Sequence, residues 1–194
     1  VQTCALPIYV RDRVKLAAGT PVNVNELLQG LQLLQLDPHI ANISAELSAG
    51  VNPGESVLDL KLVQAHSFNA QVDLNNGRVP SVGSFRRELT LEDNTLFGQG
   101  DNMLVRYSNT DGSNAVDAEY TYPVNARNGT LRLFYSNSNS GIIEKPFDVL
   151  DIQSKGQTWE LGFRQPIFQT PTQEFATSLT FSHRATGTSL KLNG

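Results

Sequence analysis

Two textures of hydrophobic and polar residues divide this chain. Between residues 9 and 37 the apolar positions recur at helical steps: Tyr9 to Ala17 has helical character, and Gly19-Thr20-Pro21 breaks it. Asn23, followed three residues later by Glu26, has the spacing of a capping box, in which side chains satisfy the orphan amides of a helix start. Val24, Leu27, Leu28, Leu31 and Leu34 then form one apolar stripe, which Asp37-Pro38 ends because the residue before proline avoids helical ψ. Leu33 and Leu36 fall off the stripe and offer a second apolar surface. Two strands follow, over 43–49 and 56–65, separated by the turn residues Gly50-Val51-Asn52-Pro53-Gly54. The order helix, helix, strand, strand makes a thin core that needs a further strand or a docked neighbour.

From Phe68 onward period-two alternation takes over. Val116, Ala118, Tyr120 and Tyr122 alternate with Asp117, Glu119 and Thr121, and Trp159, Leu161 and Phe163 alternate with Thr158, Glu160, Gly162 and Arg164. Segments 102–108 and 130–136 carry one miss each, at Leu104 and Phe134, and weaker versions occur at 70–74, 84–92 and 176–182, which makes seven strands. The links 94–100, 123–129 and 167–173 are read as seven residues each, whereas 76–83, 109–114 and 139–154 vary in length. A meander through a bilayer has this asymmetry, and Phe97, Tyr122, Phe168 and Phe175 fall on the constant side, where an interfacial aromatic girdle belongs. A soluble sandwich or lipocalin-like barrel also alternates, but it carries many Lys and Glu on its outer face.

Composition weakens that soluble alternative: only 18% of residues are charged, below the roughly 25% of an ordinary soluble domain. The strands are expected to run about ten to twelve residues, close to what a tilted crossing of a membrane requires. Net charge is −4 and no basic patch points to nucleic acid. The longest apolar run, Cys4 to Val10, is seven residues and contains Pro7, too short for a membrane-spanning helix. The single cysteine excludes an intramolecular disulfide, and no Cys/His zinc spacing, GxSxG elbow, HExxH helix or Walker loop occurs. His39, His66 and His183 are isolated, and Asp148 and Asp151 sit in the longest link, where solvated charges are ordinary. Asn42-Ile43-Ser44 and Asn128-Gly129-Thr130 match a glycosylation triplet that is common by chance. These absences predict no enzyme, no cofactor and no metal site.

A family resemblance is carried by YVRDRVKLAAGTPVN (9–23), ELLQGLQLLQLDPHIANISAELSAG (26–50), NNGRVPSVGSFRRELTLEDNTLFGQGD (75–101), YSNTDGSN (107–114), YPVNARNGTL (122–131) and FRQPIFQTPTQEFA (163–176). In these segments the chain resembles the outer-membrane translocators of two-partner secretion, the hemolysin activation/secretion type, and especially their cyanobacterial members. The resemblance implies an α+β POTRA remnant followed by antiparallel transmembrane β-barrel strands, a partial barrel of about seven of sixteen strands. Residues 9–66 would be the truncated end of a periplasmic POTRA domain and 67–194 the opening part of an outer-membrane barrel. Segment 1–8 is atypical, matches nothing in the family and reads as a foreign or misread end. With the last residue Gly194 and the later barrel motifs missing, the chain reads as a fragment of a longer protein.

The function so implied is export of a large β-helical exoprotein through the barrel without nucleotide hydrolysis, with the bacterial outer membrane as location and the POTRA part in the periplasm. The expected partners are a secreted exoprotein with an N-terminal secretion domain and outer-membrane lipid. Alternatives are a soluble β-rich binding module, or a related barrel that inserts outer-membrane proteins. Two sets of residues have a physical case. Strand 43–49 would present an edge beside helix 24–36, so an extended client could add as a strand along Ile43, Ala45 and Leu47 and reach Leu33 and Leu36; the same leucines could instead complete the POTRA core or pack on a missing strand. Asp117, Glu119, Arg132, Glu160 and Arg164 fall on the polar phase of their strands, which a barrel turns into its lumen. As plain surface charges of a soluble sandwich they would require the apolar phase to face a core.

Overall fold

The chain is described by a computed structural model over residues 6–52 and 54–190. Helices α1 (Leu6–Ala18) and α2 (Val24–Gln35) lead into strands β1 (Ile40–Ala49) and β2 (Ser56–Gln64). Strands β3 (Phe68–Asn75), β4 (Arg86–Asp93), β5 (Asn102–Thr110), β6 (Ser113–Pro123), β7 (Thr130–Gly141), β8 (Ile152–Gln169) and β9 (Glu174–Leu190) follow. The atypical segment 1–8 lies outside the described residues up to Ala5, and Leu6 already belongs to α1.

The cap spacing at Asn23 forms as read. Its Oδ1 accepts the amides of Asn25 at 3.0 Å and Glu26 at 3.5 Å, and its Nδ2 donates to Glu26 Oε1 at 2.9 Å. α2 closes where expected, with the Asp37 amide donating to the Leu34 carbonyl at 3.1 Å just before Pro38. α1 and α2 cross closely at Gly30, where a Cβ would come within 2.4 Å of the Ala17 Cβ. The helix pair lies on the β1–β2 ribbon over a small core of Val10, Val14, Leu27, Leu34 and Ile40, flanked by half-buried Leu31, Ile43, Leu58, Leu60 and Leu62.

β3 to β9 form one antiparallel meander in which every strand pairs with its sequence neighbours. The registers sort its residues into two faces. One face is polar along nearly its whole extent and carries, among others, Gln71, Thr90, Arg106, Asp117, Thr121, Arg132, Thr158 and Thr180. The other holds a band of apolar side chains that includes Val72, Leu91, Val105, Tyr120, Leu133, Leu161 and Leu179. The far edge of that band runs through Leu74, Leu89, Tyr107, Val116, Tyr135, Trp159 and Phe181. Beyond it the same face turns polar, through Arg87, Asn109, Asn114, Asn137 and Gln157. None of the five buried apolar residues belongs to this sheet, and Leu133, Trp159, Leu161, Phe163, Leu179 and Phe181 are all exposed. An ordinary soluble sheet buries one face against a core; this one has its apolar face outward.

The seven strands expected from alternation are all present, but their lengths and links differ from the reading. Strands grow from eight residues in β3 and β4 to 18 in β8 and 17 in β9. β7 runs on to Gly141 through Ser136, Asn137, Ser138 and Asn139, which are polar on both faces, so the backbone ladder continues after alternation has vanished. The sixteen-residue link read at 139–154 therefore shrinks to 142–151. The links read as equal become 94–101, 124–129 and 170–173, because β8 and β9 pair as far as Phe168 with Phe175 and on to Gln169 with Glu174. At the opposite end the long link 76–85 folds down onto its neighbours. The Val82 carbonyl accepts both the Gly112 amide at 3.0 Å and the Thr110 hydroxyl at 2.5 Å, and the Ile143 amide donates to the Ser81 carbonyl at 2.9 Å. Gly112 is required there, since a Cβ would sit 2.7 Å from the Gly141 carbonyl oxygen.

Candidate functional site

The polar face concentrates charge in pairs of opposite sign. Arg132 on β7 donates from Nη2 to Glu119 Oε2 on β6 at 2.7 Å and from Nη1 to Glu160 Oε2 on β8 at 3.0 Å, which ties three strands together. Its guanidinium also lies 4.9 Å from the centre of the Phe134 ring. Arg164 pairs with Glu174, and Asp117 stands opposite Arg106 in the β5–β6 register. A second network runs along the early strands: Arg106 Nε is 3.6 Å from Glu88 Oε1, Arg86 Nη1 is 3.5 Å from Glu88 Oε2, and Arg86 Nη2 is 3.9 Å from Asp73 Oδ1. All five charged residues singled out from the sequence thus share one face, and three of them form one cluster. Arg86, Glu88, Arg106 and Glu174 were missed, although the polar phase of 84–92 and 102–108 already contains the first three.

The residues expected to receive a client do not form one surface. Leu33 is half-buried and Leu36 exposed, and both line a cleft toward the links 94–101, 124–129 and 170–173. Ile43 packs on the helix-pair core, whereas Ala45 and Leu47 continue along β1 toward an open groove lined by Val14, Leu27 and Leu58. Among the described residues β1 pairs only with β2, so its other edge carries no strand.

Those links meet the helical unit in a small polar cluster. Arg13 Nη1 donates to Asp37 Oδ2 at 2.9 Å, and Asp37 Oδ1 accepts the His39 amide at 3.0 Å and also contacts His39 Nδ1. Burial pulls Arg13 down to about 10 against the upward pull of Asp37. Burial alone would lower His39, but its hydrogen bond to Asp37 and that carboxylate's charge hold it above its ordinary value, with the Asp101 backbone adding to the rise. For Asp37 burial pushes upward, and the bonds and charge of His39, then the charge of Arg13, bring it below the usual carboxylate range. Across the junction Asp101 is wholly buried and accepts the amides of Phe97 at 3.1 Å and Gln99 at 3.3 Å and the Tyr120 hydroxyl at 3.1 Å, which fixes the first link. Gln64 Nε2 adds a 3.5 Å bond to Thr95 Oγ1.

Among the described residues no three His, Cys, Asp or Glu side chains converge on a metal position. Asp148 and Asp151 accept local bonds from the Val149 amide at 3.1 Å and Gln153 Nε2 at 3.0 Å. No described helix is long and apolar enough to cross a membrane, a finding that does not concern strands.

Known proteins with similar sequences and folds agree with this geometry. The Heme/hemopexin transporter protein HuxB of Haemophilus influenzae (strain 86-028NP) is 25% identical over 174 residues, covering 86% of this chain and 31% of that protein. Among solved structures, CdiB from Escherichia coli superposes with a TM-score of 0.66 at 19% identity over 92% of this chain and 35% of its own. CdiB from Acinetobacter baumannii gives 0.63 at 16% identity over 97% and 37%. BamA from Haemophilus ducreyi lacking POTRA domains 1–3 gives 0.66 at 11% identity over 93% and 33%. The chain spans about a third of the length of these proteins, and at such identities the structural likeness shows the fold: a partial antiparallel β-barrel preceded by a small α+β unit. Residues 54–191 match the sequence family described as Haemolysin secretion/activation protein ShlB/FhaC/HecB, and the match covers well over half the chain; the chain belongs to that family.

Proposed function

We propose that this chain is part of an outer-membrane translocator of two-partner secretion, in which 9–66 is the end of a periplasmic POTRA domain and 67–194 the opening wall of the barrel. One observation carries the reading: the meander exposes its apolar band and points its paired charges to the other side. In lipid that arrangement is favourable, because the outer face meets acyl chains and the polar face lines water. A soluble binding module would need the apolar phase to meet a core, and the described sheet has none.

The cargo is a secreted exoprotein with an N-terminal secretion domain, and export needs no nucleotide hydrolysis. Asp117, Glu119, Arg132, Glu160 and Arg164 line the lumen, where alternating charges keep the wall wet without one sign dominating a passing chain. Client capture belongs to the helical unit, with the free β1 edge along Ile43, Ala45 and Leu47 as the pairing surface. Leu33 and Leu36 instead face the barrel links and take part in coupling the two units. The likeness to BamA at 11% identity concerns the fold alone and gives the membrane-insertion alternative no chemical support.

The test uses the full-length protein carrying this chain. A photoreactive residue at Glu160 should cross-link the exoprotein during export in cells, and one at Leu161, on the outer face, should not. Equal cross-linking from both positions would overturn the assignment of faces, and none from either would overturn transport through this wall.

A further inference from the structure

The seam between α1 and the links beside it combines exposed apolar side chains with a cation that has no carboxylate partner. A cleft of about 310 Å³ is lined by Leu16 and Leu33 from the helices and by Arg127, Ile167 and Phe168 from the rim of the sheet. Leu16, Ile167 and Phe168 are 48%, 64% and 53% exposed, and Phe168 stands opposite Phe175 on the same outward face as Phe163. The cleft is therefore continuous with the apolar band. Arg127 projects from a turn that is held firmly. Asn125 Oδ1 accepts the Arg127 amide at 2.9 Å and the Gly129 amide at 3.0 Å, the Val124 amide donates to the Gly129 carbonyl at 2.8 Å, and Gln165 Nε2 reaches the Arg127 carbonyl at 3.4 Å. Among the described residues the Arg127 guanidinium has no ion pair, while Arg13, the other cation lining the cleft, is bonded to Asp37.

We propose that this seam is a binding site for one anionic phospholipid of the leaflet that meets this rim, with Arg127 on the phosphate and the acyl chains against Leu16, Ile167 and Phe168. The inference rests on the membrane-barrel reading and deepens it. A phospholipid is the occupant that fits because it supplies a negative head and an apolar tail together, at the edge of a band that already faces lipid. Net positive charge here favours an anionic head over a zwitterionic one, and a basic side chain near an anionic surface contributes about fivefold in affinity.

Native mass spectrometry of the full-length protein carrying this chain, released from micelles doped with equal phosphatidylglycerol and phosphatidylcholine, tests the site. Preferential retention of one phosphatidylglycerol is expected. Arg127→Gln should reduce it about fivefold and Arg127→Lys should largely restore it, whereas Lys155→Gln, at the opposite end of the outer face, should leave it unchanged. Equal retention of the two lipids, or equal losses in Arg127→Gln and Lys155→Gln, would overturn the proposal. Emission from Trp159, the single tryptophan of these 194 residues, reports band insertion separately when any tryptophan elsewhere in the full-length protein is replaced by Phe. A protein that retains neither lipid and keeps Trp159 at its aqueous emission would overturn the membrane reading itself, and the site with it.

Discussion

Arg132 and Glu119 bond at 2.7 Å across a diagonal of the sheet: in the register Arg132 faces Thr121, and Glu119 faces Phe134. A diagonal pair is within reach of a long side chain, and the second arm of the same guanidinium, to Glu160, locks its orientation. Arg132→Gln leaves two carboxylates on one face without their shared counter-charge. Because the three groups are 24% to 36% exposed, the expected loss is about 1 kcal/mol, seen as a lower midpoint in detergent-based urea unfolding followed by circular dichroism. The difference should shrink in high salt, and a variant that unfolds like the parent at low salt would remove the network's structural role.

Trp159 stacks at a tilt on Tyr135, with ring centroids 4.3 Å apart, at the outer edge of the apolar band. In vesicles made with brominated lipids its emission should be quenched strongly, and aqueous acrylamide should quench it weakly. The reverse order would place this face in water.

Leu34 is 2% exposed and sits at the centre of the helix-pair core. Leu34→Ala removes three carbons from a site with little room to relax and should cost about 2–5 kcal/mol. Hydrogen exchange should show the loss over α1, α2 and β1 while β5 to β8 keep their protection. Uniform loss across both regions would mean that the two units unfold as one.

The Arg13, Asp37 and His39 cluster gives the junction a pH window. His39 is raised in the folded chain, so its contribution is complete below its ordinary value of about 6.5 and declines as pH rises through the folded value. Asp37 is lowered, so its contribution is complete above its ordinary value near 3.8 and declines as pH falls through the folded one. Protection of the Ile40 amide, which donates to the Asp37 carbonyl at 3.0 Å, should be greatest between those limits once the intrinsic pH dependence of exchange is divided out. His39→Asn should remove the alkaline limb alone.

Periodicity made the order of elements legible before any coordinates, because helical stripes and period-two alternation are local signals. Asn23 with Glu26 and the stop at Asp37-Pro38 belong to the same class. What stayed hidden depends on distance along the chain or on the absence of contrast. Arg13 and Asp37 are 24 residues apart, and Asp101 becomes a buried acceptor only when Tyr120 arrives beside it. The upper halves of β7 to β9 are polar on both faces, so nothing in their sequence alternates even though the backbone ladder continues. The charged cluster was half legible: Glu119 and Glu160 lie in clean alternation, Arg132 and Arg106 lie in segments with one miss each, and Arg86 lies in a strand with a weaker pattern.

The far edge of the apolar band has a geometric consequence. Counted along the paired register, Leu74 on β3 shares its level with Gly187 on β9, yet the band on β9 ends at Phe181. The edge therefore slips six residues over six strand-to-strand steps, one residue per strand. With a rise of about 3.3 Å per residue and about 4.8 Å between strands, a band that is to lie level requires strands inclined by about 35° to the membrane normal, within the tilt of transmembrane barrels. The shear of the wall is thus written into where its large apolar residues stop.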